Sequence, residues 1–566
     1  MARTARRGGI RSQPMAAFVR ACREHGLTHP AVVASALLAA VLSVLWVLLL
    51  TIDLGDAAAQ SMWAGFGRHY PGHAYDFSWY GGCTPASYSV LSPYIMGYLG
   101  IRPTGVLAFL ASAVLGAWWL TRMPLRHPLI LALVLTFSLW EEILSGRITF
   151  ALGTCFALAA LALLLPASRF MTRTGAAVFV LSAVSALCSP LAGAFLGIPA
   201  AALLITGRRR EACCLAAGPG LVIAAVGVLF PLHGFQPYFP GDVALTLEIV
   251  VATGFAVPAR WRVLRLSVIV LAGAVVAAIL VATPVGSNIG RLPRIGAATV
   301  LAAAALGTVP DREGARAREG GRRLLAGAAF LMAAGVWLVA EPTIDVTGGP
   351  SRAVRDVTPL VAELRSLGAQ RERVEVVPLR NHWEAWGVGR FMSLARGWNR
   401  QLDVGYGALF YSGQPFAYAS RQPFTSAGYH SWLLQNAVAY VAVAAAPPDY
   451  AGVDEYLVLA QPQPWLTPVW QSGAWRLFRV ADAQPLAQPP ATVQDLDPAS
   501  MTLDAPGPAT ILLRVHWSPW LKVHSPAGTA GACLAPAGEW TTLRTHHAGR
   551  YRVTGEYTLP RGSPCA

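Results

Sequence analysis

AVVASALLAAVLSVLWVLLLT (31–51) is an uncharged run whose reading decides the fold. A helix of about 20 apolar residues crosses a hydrocarbon core of about 30 Å. The apolar core of a secretory signal is shorter, about 7–15 residues. Residues 31–51 are therefore read as an uncleaved first span, although Ala57-Ala58-Ala59 follows in the manner of a cleavage site. Arg20 and Arg23 precede the run, and Asp53 and Asp56 follow it. Positive residues resist translocation, which places the N-terminal tail (1–30) inside.

Ten more apolar runs follow, near 104–121, 127–145, 149–166, 176–190, 191–206, 213–230, 244–258, 265–283, 293–309 and 323–340. Arginine clusters alternate with them, and 21 arginines fall on the side of the tail against 5 on the other. The expectation for 31–340 is a polytopic α-helical membrane domain of about 11 spans. An odd number with the N-terminus inside puts everything after 340 outside, in a multi-pass protein of the plasma membrane. Cys188-Ser189-Pro190 separates two of the runs, so 176–206 reads as a tight hairpin or a re-entrant pair.

Composition supports lipid as solvent. Only 13% of the 566 residues are charged and the mean hydropathy is +0.47, whereas a soluble domain carries about 25% charged residues. The net charge of +15 does not point to nucleic acid, because most of it belongs to inner loops that face anionic headgroups. Lys522 is the sole lysine.

The first outer loop (52–103) is long and rich in aromatic residues, including Trp63, Phe66, Tyr70, Tyr75, Phe77, Trp79 and Tyr80. Amphipathic rings settle at the membrane–water interface, so the loop is expected along the outer surface. Its stretch 86–101 reads as an interfacial helix or a further span. From 341 to 485 the pattern is that of a small α/β domain, with a helix over 356–368 and strands at 374–377 and 439–444. A linker rich in Pro, Ala and Gln covers about 483–500. Residues 486–566 carry short alternating strands (511–515, 551–553) between Gly/Pro turns, the pattern of a small β-sandwich. Cys533 and Cys565 could form one bridge in an oxidising compartment. No CxxC or Cys/His ligand spacing is present, so no zinc site is read.

Candidate chemistry collects at one face of the helical domain. Asp53 and Asp56 stand at the outer mouth, where a carboxylate can take a proton from an acceptor hydroxyl; a solvated loop acid or a helix cap would use the same residues. Glu141 and Glu142 interrupt the third span, and Arg147 is near enough in sequence to pair with either. Asn288 and Arg291, with Arg294, lie in the outer loop PVGSNIGRLPR. The arginine fork suits a phosphate or one of these acids. Asp76 with His69 and His73 is a weaker set, and Glu248 lies within the eighth span. In HWEAWGVGRFMSLARGWNRQLD (382–403), Trp383, Trp386 and Trp398 could stack on sugars, with Arg396 and Arg400 binding phosphate or carboxylate; core packing would use them equally.

An acid just after the first span, a long first outer loop, acids in a later loop and an outer C-terminal region resemble the GT-C superfamily of polytopic glycosyltransferases. The stretch YVAVAAAPPDYAGVDEYLVLAQPQPWLTPVWQSGAWRLFRV (440–480) is similar to the domain that follows the membrane region in many bacterial members. The resemblance implies sugar transfer from a polyprenyl-phosphate-linked donor to a glycan or lipid acceptor at the outer face, usually with inversion. It makes Asp53 or Asp56 the base, Glu141 or Glu142 the second acidic element, and Arg291 the holder of the lipid phosphate. The first loop departs from the family in having two candidate acids and no DxD. Membrane lipid is the surrounding partner; no cofactor is assigned, and a divalent cation is left open. A transporter or lipid flippase is the alternative, with Glu248 in a central pathway, and a non-catalytic envelope scaffold is the third.

Overall fold

The computed structural model describes residues 27–49, 55–164, 172–306, 316–340, 351–415, 422–525 and 528–565. Asp53 and most of the N-terminal tail lie outside the described residues.

The N-terminal part is a bundle of helices: α1 (Pro30–Leu49), α2 (Ala57–His69), α3 (Ser92–Leu99), α4 (Ile101–Thr121), α5 (Pro128–Leu144), α6 (Ile148–Leu163) and α7 (Thr172–Cys188). There follow α8 (Pro190–Phe195), α9 (Gly197–Ile205), α10 (Arg209–Leu229), α11 (Pro240–Ala256), α12 (Arg262–Leu280), α13 (Arg291–Leu306) and α14 (Arg316–Ala333). Over its described residues each of the 11 apolar runs is largely helical, while a count of 11 spans is not confirmed. Among the described residues, six helical stretches are long and apolar enough to cross a membrane, including Pro30–Leu48, Ile101–Thr121 and Arg209–Leu229. Ser189 caps α8, its Oγ accepting from Ala192 N, and Gly193 lets α8 fold back onto α7 where a Cβ would strike Ala186. Helix α5 runs through Glu141 and Glu142 to Leu144, with Ser145 at its C-cap.

Small residues such as Ala39, Ala113, Ala117 and Ala132 fill the contacts among α1, α4, α5 and α6, so that backbones approach closely. Large apolar side chains point outward instead: Leu37, Leu48, Val228, Leu280 and Leu324 are 64–78% exposed. A surface of that kind is made for lipid, and the chain is a membrane protein.

The C-terminal part holds two β units. The first is a five-stranded sheet of order β2-β1-β3-β5-β4, built from β1 (Arg373–Val376), β2 (Ser393–Leu394), β3 (Val438–Ala444), β4 (Leu466–Ser472) and β5 (Trp475–Val480). Strands β2, β1 and β3 are parallel, and β5 and β4 are added antiparallel. β3 is buried at all seven positions, as a central strand covered on both faces must be.

The second unit packs a three-stranded sheet (β10-β11-β8) on a four-stranded one (β6-β7-β12-β9). Its strands are β6 (Thr492–Asp497), β7 (Ser500–Ala505), β8 (Ala509–His516), β9 (Leu521–His524), β10 (Ala532–Ala537), β11 (Trp540–Thr545) and β12 (Gly549–Gly555). Ile511, Leu513, Leu534, Leu543, Met501, Leu503, Tyr551 and Val553 fill the space between the sheets. Cys533 and Cys565 are joined by a disulfide. Strand β6 occupies the end of the expected linker: its polar sequence suits an edge strand paired only with β7.

The first loop departs most from expectation. Several of its aromatic rings wedge into the C-terminal units. Tyr75, Phe77, Trp79 and Tyr80 are buried, Trp79 in the core of the α/β unit and Tyr75 and Phe77 in that of the sandwich. Their polar tips are satisfied there: Trp79 Nε1 donates to Ala385 O at 2.9 Å and Tyr75 Oη to His516 O at 2.6 Å. Rings with polar tips gain area and hydrogen bonds together in such a place, which an interfacial position offers less completely.

Candidate functional site

Gly55 is the hinge on which the site is built. Its φ is +52°, and a Cβ would collide with Ser145 O. The backbone N–H of Asp56 then donates to the same carbonyl at 2.9 Å, fastening the start of α2 to the α5–α6 turn. That turn, Ser145-Gly146-Arg147, reverses the chain at Gly146 (φ +70°) and projects Arg147 back across the end of α5. Helix α13 packs against α5 and brings Arg291 to the same place from the far end of the sequence.

Five charged residues meet as a result. Asp56 Oδ2 accepts from Arg291 Nη2 at 3.3 Å and lies 4.0 Å from Arg147 Nε. Arg147 Nη1 donates to Glu141 Oε1 at 2.9 Å, and Ser145 Oγ donates to the same oxygen at 2.9 Å. Glu142 Oε2 is 3.7 Å from Arg147 Nη1, and neither carboxylate oxygen of Glu142 has a hydrogen-bond partner among the described residues. Burial grades across the set: the Asp56 side chain is 23% exposed and that of Glu142 only 1%. The cluster thus has an open carboxylate at its mouth, two arginines behind it and two acids sealed beneath. Such an array can present a base and a positive field to one bound group.

Asn288 lies on a 3-10 turn (Gly286–Gly290) immediately before Arg291, half-buried. Tyr88 and Gln60 border the cluster and were not singled out from the sequence. Gln60 stands one turn after Asp56 on α2, and its Oε1 accepts from Thr149 N at 3.3 Å. Burial raises the Tyr88 phenol, Asp56 adds to that, and Arg291 opposes it. The turn glycines Gly55 and Gly146, each beside a charged residue, are a further sequence signal for this junction.

Trp383 and Arg396 lie elsewhere, in the α/β unit. Trp383 Nε1 donates to Arg355 O at 3.2 Å. Arg396 is buried; its Nε donates to Glu375 at 2.8 Å, Nη1 to Ala451 O at 3.2 Å and Nη2 to Glu455. A guanidinium bound at all three nitrogens ties these elements of the core together. Arg400 does the same with Asp449, at 2.9 and 3.1 Å, and Trp398 stacks on His382.

His69, His73 and Asp76 do not converge: His69 bonds Gly65 O, while Asp76 is buried beside Cys83 in the wedge. Among the described residues no group of three or more His, Cys, Asp or Glu is arranged to hold a metal ion. Glu248 is exposed on α11.

Residues 488–566 match the profile of a domain of unknown function, DUF8823, which covers the β-sandwich. No curated protein matches the chain. Among solved structures, arabinofuranosyltransferase AftD from Mycobacteria aligns at 15% identity and a TM-score of 0.43, over 84% of this chain and 41% of that one. A mutant form of AftD aligns at 15% identity and a TM-score of 0.42, over 84% and 43%. The chain thus spans less than half the length of that protein.

Proposed function

We propose that the protein is an integral membrane glycosyltransferase that moves a sugar from a lipid-phosphate-linked donor to a cell-envelope acceptor on the outer membrane face. The observation that carries this reading is the meeting of Asp56 and Arg291 at 3.3 Å, in front of Glu141, Glu142 and Arg147. The resemblance of the loop acids and of residues 440–480 to GT-C enzymes supports it. The arginine bias supports an outer position for the site and the C-terminal units. So does the Cys533–Cys565 disulfide, since such bonds persist in oxidising compartments.

In this reading a donor phosphate takes Arg291 away from Asp56 and leaves the carboxylate free. Asp56, or Asp53 three positions before it in the sequence, removes the proton of an acceptor hydroxyl. The oxygen bonds to the anomeric carbon as the bond from that carbon to the phosphate oxygen breaks, inverting the centre. The electron pair leaves on the phosphate, where Arg291 and Arg147 offset its charge. Glu141 and its bond to Arg147 keep that arginine in position.

The transporter alternative places Glu248 in a central pathway. Its position on the outer side of α11 speaks against that reading. The test is transfer of radiolabelled sugar from a panel of polyprenyl-phosphate donors by membranes containing the protein. Transfer above that of membranes lacking it supports the proposal; equal transfer from the whole panel opposes it.

A further inference from the structure

A pocket opens where the helical bundle, the α/β unit and the sandwich meet. The bundle lends Phe230 and His233, just after α10, and the first loop lends Thr84. Tyr406 comes from the α/β unit, and Trp517 and Ser518 follow His516 at the end of β8. The pocket encloses about 440 Å³, part of it open to solvent, a size ordinary for a small-molecule site. Among the described residues that line it, none is an acid, an arginine or a lysine.

His516 makes this more than a packing gap. Its imidazole is stacked between Tyr406 and Trp540, at centroid distances of 3.8 and 4.4 Å. Nδ1 lies 3.1 Å from Glu539 O, and a carbonyl can only accept, so Nδ1 carries the proton. Burial pushes the His516 pKa down to about 3, which leaves the ring neutral and Nε2 a bare acceptor. The residue is 4% exposed, and among the described residues Nε2 has no hydrogen-bond partner. With both ring faces and Nδ1 taken, the edge that bears Nε2 is the one left for the pocket. A buried acceptor without a donor is costly, so a ligand that brings one is favoured.

The lining says what kind of ligand that is. A phosphate or carboxylate would find no cation here, and a purely apolar ligand would leave Nε2 unpaired. The hydroxyls of Thr84 and Ser518 and the imidazole of His233 stand among the rings of Phe230, Tyr406 and Trp517. Apolar faces and hydroxyl partners in one neutral pocket match a molecule with C–H faces and hydroxyls of its own. We propose that this pocket binds one neutral sugar residue, with a sugar hydroxyl donating to His516 Nε2 and the C–H faces of the sugar packed on the rings. The proposal is read from the pocket's own lining and does not depend on the sugar-transfer reading.

The test uses the full chain in lipid nanodiscs, free of glycoside detergent and with no lipid-linked donor present. Saturation-transfer NMR reads binding of the methyl glycosides of glucose, galactose, mannose and arabinose, with methyl glucuronide as the charged control. At least one neutral glycoside is expected to bind, and the glucuronide is expected not to. His516→Phe keeps the stack between Tyr406 and Trp540 but removes the acceptor, and Glu539 O retains Trp517 N as a donor at 3.2 Å. This variant is expected to melt no lower than the wild type and to bind the glycoside about tenfold more weakly. His233→Ala changes an exposed loop residue and is expected to weaken binding severalfold with folding intact. Binding of none of the four glycosides, equal binding of the glucuronide, or an unchanged affinity in both variants would each overturn the proposal.

Discussion

Arg291 Nη2 lies 3.3 Å from Asp56 Oδ2 although 235 residues separate the two in sequence. Asp56 is held there by Gly55 and Ser145, and Arg291 by the packing of α13 on α5. Two independently anchored groups with opposite charge, partly open to solvent, form a place where an anionic ligand can exchange with the carboxylate.

If Arg291 binds the donor phosphate, Arg291→Lys keeps the charge but loses the fork. Charge-assisted hydrogen bonds contribute about 1.5–3 kcal/mol each, so the lipid-donor KM is expected to rise about 10- to 100-fold. Steady-state kinetics with varied donor checks this. A variant that lowers kcat alone would place Arg291 outside donor binding.

Arg147 bridges three acids, and its removal leaves Glu141 and Glu142 buried without it. Arg147→Ala is expected to destabilise the bundle by about 3–5 kcal/mol, the cost of breaking a buried pair from one side. Adding Glu141→Gln and Glu142→Gln should recover much of that loss. Thermal unfolding in detergent distinguishes the two, and equal melting of single and triple variants would refute the bridging role.

Asp76 gives a pH signature. Burial raises its pKa to about 6 from 3.8, against the opposing hydrogen bond from Ser78 N. Between about pH 4 and 6 the folded chain keeps a proton that the unfolded chain has released. The Asp76 contribution to stability therefore falls as pH rises through that window, by about 3 kcal/mol in all, and is level above it. Asp76→Asn retains the acceptor for Ser78 N and removes this slope. Its stability should exceed that of the wild type at pH 7.5 and match it near pH 4. A constant difference across the range would contradict the assignment.

How much of this was legible in the sequence depends on which physical signal each residue carries. Apolar runs announce helices, and all 11 are largely helical over their described residues; period-2 alternation announced β8 and β12. Length is a weaker guide to spanning, because a break such as Ser189-Pro190 divides one apolar stretch into shorter helices. The aromatic loop is ambiguous in sequence because a tryptophan at a lipid interface and one in a protein core leave the same local pattern. Only contacts more than 300 residues away, such as Trp79 with Ala385, distinguish them. Arg396 carries the same ambiguity, as its partners Glu375 and Glu455 come from other elements. Asp56, Glu141, Glu142, Arg147 and Arg291 were singled out as separate charges near apolar ends, while their meeting is a property of the packing.

The wedge yields a prediction of its own. Gly397 lies against the Trp79 indole so closely that a Cβ would overlap it. Gly397→Ala is expected to cost about 1–3 kcal/mol through overpacking, and Trp79→Ala about 3–5 kcal/mol through the cavity it leaves. Limited proteolysis of the C-terminal units should quicken in both. Unaltered proteolysis would mean that the loop does not hold those units together.

The most direct measurement is sugar transfer from polyprenyl-phosphate donors by membranes containing equal amounts of wild type, Asp53→Asn or Asp56→Asn protein. The expected result is transfer by the wild type and its loss, by at least 100-fold, in the variant that lacks the base, with the position beside Arg291 favouring Asp56. Equal transfer by all three would contradict the central claim that a carboxylate at this mouth takes the acceptor proton.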